Sequence, residues 1–176
     1  IWVLNERSAH GGKKEIRLEE SQTGASMDEA LKEKKLIRSR TVQLAATLTF
    51  VHVVAVIFGW YHTYPWIDIP QHFFGGVLAA LIFYWINAGY PQAFRLVPGA
   101  LAPILLVLSW AVFLGVLFEF AEFAYDRIAV DYLSLAHRYT QLGLADTMGD
   151  LFFDILGGLV LGVFMRLRYD RRKRQL

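Results

Sequence analysis

The order of apolar and charged positions divides this chain more sharply than any single motif in it. Asp, Glu, Lys and Arg are absent from Thr41 to Ile67, from Ile69 to Phe94 and from Leu96 to Phe118. Uninterrupted apolar runs beyond about 18 residues mark transmembrane helices, because ~20 residues are needed to cross the hydrocarbon core. A soluble bundle would instead carry a charged outward face along each helix, and these runs have none. The pattern predicts an all-α, polytopic membrane protein with four transmembrane helices, at about 41–60, 70–89, 99–123 and 147–166. The fourth is the least apolar. Its charge-free part, Ile155 to Met165, has eleven residues, so it completes a crossing only if the stretch bearing Asp150 and Asp154 is immersed as well.

Polar sequence brackets this block. Residues 1–40 carry nine basic and seven acidic side chains, and the tail RLRYDRRKRQL carries six basic residues against one acid. The expected organisation is a polar, largely disordered segment over 1–40, a four-helix domain over 41–167 and a basic tail over 168–176. Residues 1–26 have no sustained periodicity, and the natural start is expected at Met27, which opens MDEALKEKKLIRSR. Lys32, Lys34, Lys35, Arg38 and Arg40 precede the first span, and Arg166, Arg168 and Arg171 to Arg174 follow the last. By the positive-inside rule both termini are cytoplasmic, which requires an even number of spans. The loop with Arg95 is then cytoplasmic, and segments 61–69 and 124–146 face outward. Trp60, Tyr61, Tyr64 and Trp66 are expected to form an aromatic belt at the first outer boundary. The expected residence is a bacterial inner membrane.

The charges inside this block change the picture. Between 41 and 165 there are eight acids, all on the outer side of this topology, against Arg95, Arg127 and Arg138. Asp68 and His72 share a face at the start of the second span; Glu119 and Glu122 lie in the last turns of the third; Asp146, Asp150 and Asp154 enter the fourth at i,i+4 spacing. Three helices therefore present polar faces at similar depth. A charge at bilayer depth costs several kcal/mol, and neighbouring carboxylates in low dielectric share protons or bind a cation. Oxygen donors with one imidazole suit a divalent ion. The candidate metal site is Asp68, His72, Glu119, Glu122, Asp150 and Asp154. Absence of cysteine removes thiolate ligands and disulfides.

Structural roles compete for several of these residues. Asp68 and Asp146 suit helix N-terminal caps. Asp126 and Asp131 are expected in a solvated loop, paired with Arg127 or Arg138. His52 is read as a helix-packing histidine and His62 as interfacial; His10 and His137 carry no signal. Gly75-Gly76 and Gly157-Gly158, with the GxxxG of Gly158 and Gly162, are expected to bring the second and fourth helices together.

The pattern D-x-x-x-H-F-x-x-G at Asp68, His72 and Gly76, E-x-x-E at Glu119 and Glu122, and D-x-x-x-D-x-x-x-D-x-x-G-G from Asp146 to Gly158 resembles small multipass inner-membrane proteins of the VanZ-like and YjdF-like groups. The VanZ-like groups tend to D-x-x-H and a late Asn where this chain has a longer spacing and Asp154, so the YjdF-like group is closer. The resemblance implies a polytopic membrane protein and no particular chemistry.

Three functions are compatible with these features. The first is a metal-dependent site acting on lipids or their headgroups. The second is a structural or accessory subunit, and the third a proton- or cation-coupled transporter, which four spans would support only as a homo-oligomer. The CDP-alcohol transferase signature DG-x-x-AR and the HExxH motif are both missing. Membrane lipids are the expected partners. Nucleic acid is not expected, since the basic tail reads as a topology signal.

Overall fold

The computed structural model describes residues 2–89, 101–134 and 139–173, and no β-strand occurs among them. Helix α1 (Trp2–Phe58) is followed by the single turn α2 (Trp60–Thr63), a 3-10 turn (Pro65–Ile67) and α3 (Asp68–Gly89). Helix α4 (Ala102–Tyr125) runs on into a π-helical segment (Asp126–Tyr132), and α5 (Leu144–Lys173) closes the described chain. Four segments are long and apolar enough to cross a membrane: Met27–Phe58, Pro65–Asn87, Ala102–Tyr132 and Leu144–Arg168. The all-α, four-span reading of the sequence is borne out. The loop with Arg95, together with His137 and Arg138, lies outside the described residues.

Helices α1 and α5 extend well beyond their apolar runs. Residues 28–40, expected as an unstructured flank, continue α1, because DEALKEKKLIRSR consists largely of good helix formers. Extension from an existing helix avoids the cost of nucleation. At its other end α1 stops at Gly59, whose φ of 64° is left-handed, a conformation glycine adopts without a Cβ penalty. Pro65 opens the 3-10 turn and Pro103 stands in the first turn of α4, where a missing N–H costs nothing. The chain divides into two compact units, Ile1–Ile37 and Arg38–Leu176; everything below concerns the second.

Helices α3, α4 and α5 form its centre. His72 lies near Asp150 and Tyr84 bonds to Gly162, so α3 and α5 run parallel. Gly162 faces Val107, Gly158 faces Ala111 and Asp154 faces Gly115, so α4 runs antiparallel to α5. Where α3 crosses α5 the backbones touch. A Cβ on Gly76 would fall on the Asp154 carbonyl, and one on Gly157 on the Phe73 carbonyl. The glycines thus divide their work differently from the expectation: Gly76 and Gly157 join α3 to α5, whereas the GxxxG pair Gly158 and Gly162 faces α4. Toward the end away from the acids, Ala80, Phe83 and Val107 form a buried apolar cluster with Trp110 and Leu161. Outward-facing apolar side chains such as Phe50, Ile57 and Phe120 are largely exposed, which suits contact with lipid rather than water. Helix α1 is the loosest element, with only Thr41 and Ala55 buried between residues 38 and 58.

Candidate functional site

The first turns of α3 and α5 and the last turns of α4 meet at one end of this bundle, and His72 is at their centre. Its ring is buried. Nδ1 meets Asp154 Oδ2 in a long hydrogen bond of 3.3 Å. Nε2 points the other way, 3.5 Å from Asp68 Oδ1 and 3.9 Å from Asp150 Oδ1, both beyond the usual hydrogen-bond length of about 2.7–3.2 Å. Asp68, His72 and Asp150 each offer one donor atom, all within 4.8 Å of one another. A tetrahedral ion with ligands at about 2.1 Å sets its donors about 3.4 Å apart, close to these spacings. Asp154 stands behind the imidazole rather than among these three donors. Its carboxylate fits there because its neighbours lack side chains: a Cβ on Gly75 would lie 3.1 Å from Oδ1, and one on Gly115 would overlap Oδ2.

The remaining acids surround this group without joining it. The register of α4 on α5 places Glu119 opposite Asp150. Glu119 is buried, with Oε2 accepting from Gln141 Nε2 at 2.7 Å and Oε1 without a hydrogen-bond partner among the described residues. Glu122 is buried one turn away and lines a second cavity of about 270 Å³ with His52 and Thr140. Asp146 sits within the first turn of α5 and accepts from the Leu142 N–H at 2.9 Å, a capping contact made from inside the helix rather than before it. Asp131 pairs with Arg127 at 2.6 Å, as expected, and also accepts from the Tyr139 hydroxyl at 2.7 Å. That carboxylate raises the Tyr139 phenol above its usual value.

Asp126 departs from the expectation. It is not solvated but buried, and it accepts from the Thr140 N–H at 2.8 Å, the Thr140 hydroxyl at 3.0 Å and the Gln141 N–H at 3.0 Å. Three donors compensate its burial. The contact draws residues 140 and 141 over the acid-rich end, where Gln141 reaches Glu119.

Two residues read as peripheral also enter the site. Tyr61, expected in an interfacial belt with the exposed Tyr64 and Trp66, is buried. Gln71 Nε2 donates to its oxygen at 2.8 Å, and His52 Nδ1 shares a hydrogen bond with the same hydroxyl at 2.7 Å. Burial pushes the Tyr61 phenol up, so it stays protonated. His52 is therefore tied to the polar end of the bundle through Tyr61. Phe118 presents its ring in T-shaped contact to both His52 and His72, with centroids 5.4 and 5.6 Å away. A cavity of about 350 Å³ runs from this polar end, between α1 and the faces of α3 and α4, down to Ala45 and Ile82.

A family of proteins described as "Predicted membrane protein (DUF2238)" matches residues 32–171, which takes in most of the first membrane-length segment, the other three whole and every acid of the site. The chain belongs to this family. It is similar to an uncharacterised protein from Thermotoga maritima, 37% identical over 122 residues, 69% of this chain. The chain spans 59% of that relative's length. No solved structure matches.

Within this DUF2238 chain, sequence spacing located the acids but not their partners. Asp68–His72 is an i,i+4 pair and visible as such. The bonds of His52 to Tyr61, Gln141 to Glu119 and Thr140 to Asp126 cross a helix break or a loop, and no periodicity encodes them. Gly59, followed by Pro65, was the one signal that the chain turns back and can fold Tyr61 against α1.

Proposed function

We propose that this DUF2238 protein holds a divalent metal ion between Asp68, His72 Nε2 and Asp150, and uses it on the polar headgroup of a membrane lipid. The observation that carries this reading is the division of labour at His72. Nδ1 is engaged by Asp154, so Nε2 is directed between two carboxylates 3.5 and 3.9 Å away, and as a neutral imidazole it would offer its lone pair to a cation held there. Histidine ligands of metals regularly bond a carboxylate through their other nitrogen, which fixes tautomer and orientation. Two carboxylates and one imidazole suit Zn²⁺, Mn²⁺ or Mg²⁺. Three protein donors leave coordination positions for water or a phosphoryl oxygen, which such an ion polarises or activates. The positive-inside pattern favours cytoplasmic termini, and with them a site in the outer leaflet.

Metal analysis of the purified protein, loaded with each of these ions and then desalted, tests the reading. One equivalent is expected in the wild type and none in Asp150→Asn or His72→Gln. Asp154→Asn should retain the metal with about 10- to 100-fold lower affinity, and Glu122→Gln should retain it fully. A wild type that holds no stoichiometric metal after loading overturns the assignment.

A further inference from the structure

We infer that the cavity beside His72 is the binding site of a single-chain amphiphile with an anionic, phosphate-type head, taken up sideways from the bilayer past α1. For the headgroup this rests on the metal reading above; for the chain it rests on the cavity alone. The space is polar at one end and apolar at the other. Asp68, His72 and Asp154 line its head, and Leu48, Ala79 and Ile82 its far end. Ten residues of α3 separate His72 from Ile82, a depth of about 15 Å at the helical rise. The cavity of about 350 Å³ follows α3 over this depth, a shape that suits one extended hydrocarbon chain.

The polar end selects the charge of the head. A bare cluster of acids would repel an anion, but an ion at Nε2 would offer its open coordination positions to a phosphoryl oxygen. The structure adds a second polar group. His52 lines the same cavity, and with Nδ1 bonded to the Tyr61 hydroxyl its other ring nitrogen, Nε2, is left for the ligand. An anionic head would meet the cation on one side and this imidazole on the other.

The wall toward lipid is thin. Ala45, Leu48 and Thr49 are the α1 residues along the apolar part of the cavity, the first two only half-buried and Thr49 exposed, whereas the opposite walls belong to the closely packed α3 and α4. A chain already dissolved in the bilayer enters across α1 without leaving an apolar medium.

Photolabelling decides the matter. The protein is placed in phosphatidylcholine nanodiscs with dodecyl phosphate bearing a terminal diazirine. Labels are expected on the peptides around residues 45–49 and 78–82. Ala45→Phe and Leu48→Trp, two independent fillings from the loosely held helix, should each lower this labelling by about tenfold with metal content and thermal midpoint unchanged. A trimethylammonium probe of the same chain length should label these peptides far less. Labelling that is spread evenly over lipid-facing residues such as Phe50 and Ile57, or that is unchanged in both filled variants, overturns the inference. The two readings separate cleanly. If the wild type binds no metal and the filled variants still abolish labelling, the cavity assignment stands and the metal assignment falls.

Discussion

Asp126 accepts the backbone N–H of Thr140 at 2.8 Å, fourteen residues along the chain, and so ties the end of α4 to the segment that leads into α5. Removing the carboxylate would strand three buried donors, each costing about 1–3 kcal/mol when unsatisfied. Asp126→Ala is therefore expected to lower unfolding free energy by on the order of 3 kcal/mol, read from denaturation in mild detergent. Arg127→Ala breaks the exposed pair with Asp131 and a surface contact over the Phe123 ring, and should change stability by less than about 1 kcal/mol.

The α3–α5 crossing admits no added atoms. Gly76→Ala and Gly157→Ala each place a methyl group on a facing backbone carbonyl, and helices must part to make room. Overpacking of this kind costs about 1–3 kcal/mol or more. Gly149→Ala, with nothing within 4 Å of the new methyl, should be neutral or slightly stabilising, since alanine is the better helix former. Equal melting of all three variants would contradict the crossing.

Gly115 makes room for the Asp154 carboxylate, so Gly115→Ala should displace that group from His72 while leaving all three proposed ligands in place. The expected result resembles Asp154→Asn, a metal affinity about 10- to 100-fold weaker. Undiminished affinity would mean that Asp154 does not orient the imidazole.

Burial raises the Tyr61 phenol, so the folded state favours its protonated form. The associated stability is fully present below the unfolded value of about 10 and is lost as pH rises through the folded one. Phenolate absorbance followed up an alkaline titration of the eight tyrosines should include a late-ionising component that Tyr61→Phe removes. The substitution should also weaken the alkaline loss of stability.

Hydropathy made the four spans legible because length and apolarity are all that crossing a bilayer demands. It placed helix ends only approximately: α1 extends upstream of Thr41 and α5 continues to Lys173, since charged helix formers prolong a helix as readily as apolar ones. The i,i+4 rule grouped Asp68 with His72 and Asp150 with Asp154. It could not tell that Asp154 would bond Nδ1 while Asp150 approaches Nε2, because that depends on how α3 and α5 cross. Asp126 was misread for a related reason. Proximity to Arg127 in sequence suggested a surface pair, whereas the π-helical continuation of α4 carries the acid inward to amide donors that only the returning loop supplies.

The contact of Gly76 with the Asp154 main chain also has a mechanical meaning. With backbone resting on backbone, no compressible side-chain layer lies between α3 and α5, and His72 is one turn from the contact on one helix while Asp154 belongs to it on the other. Sliding or tilting either helix moves imidazole and carboxylate by nearly the same fraction of an ångström. The stiffness of the histidine–aspartate geometry is thus that of the helix crossing itself, whereas α1, with only Thr41 and Ala55 buried between residues 38 and 58, is far more loosely held.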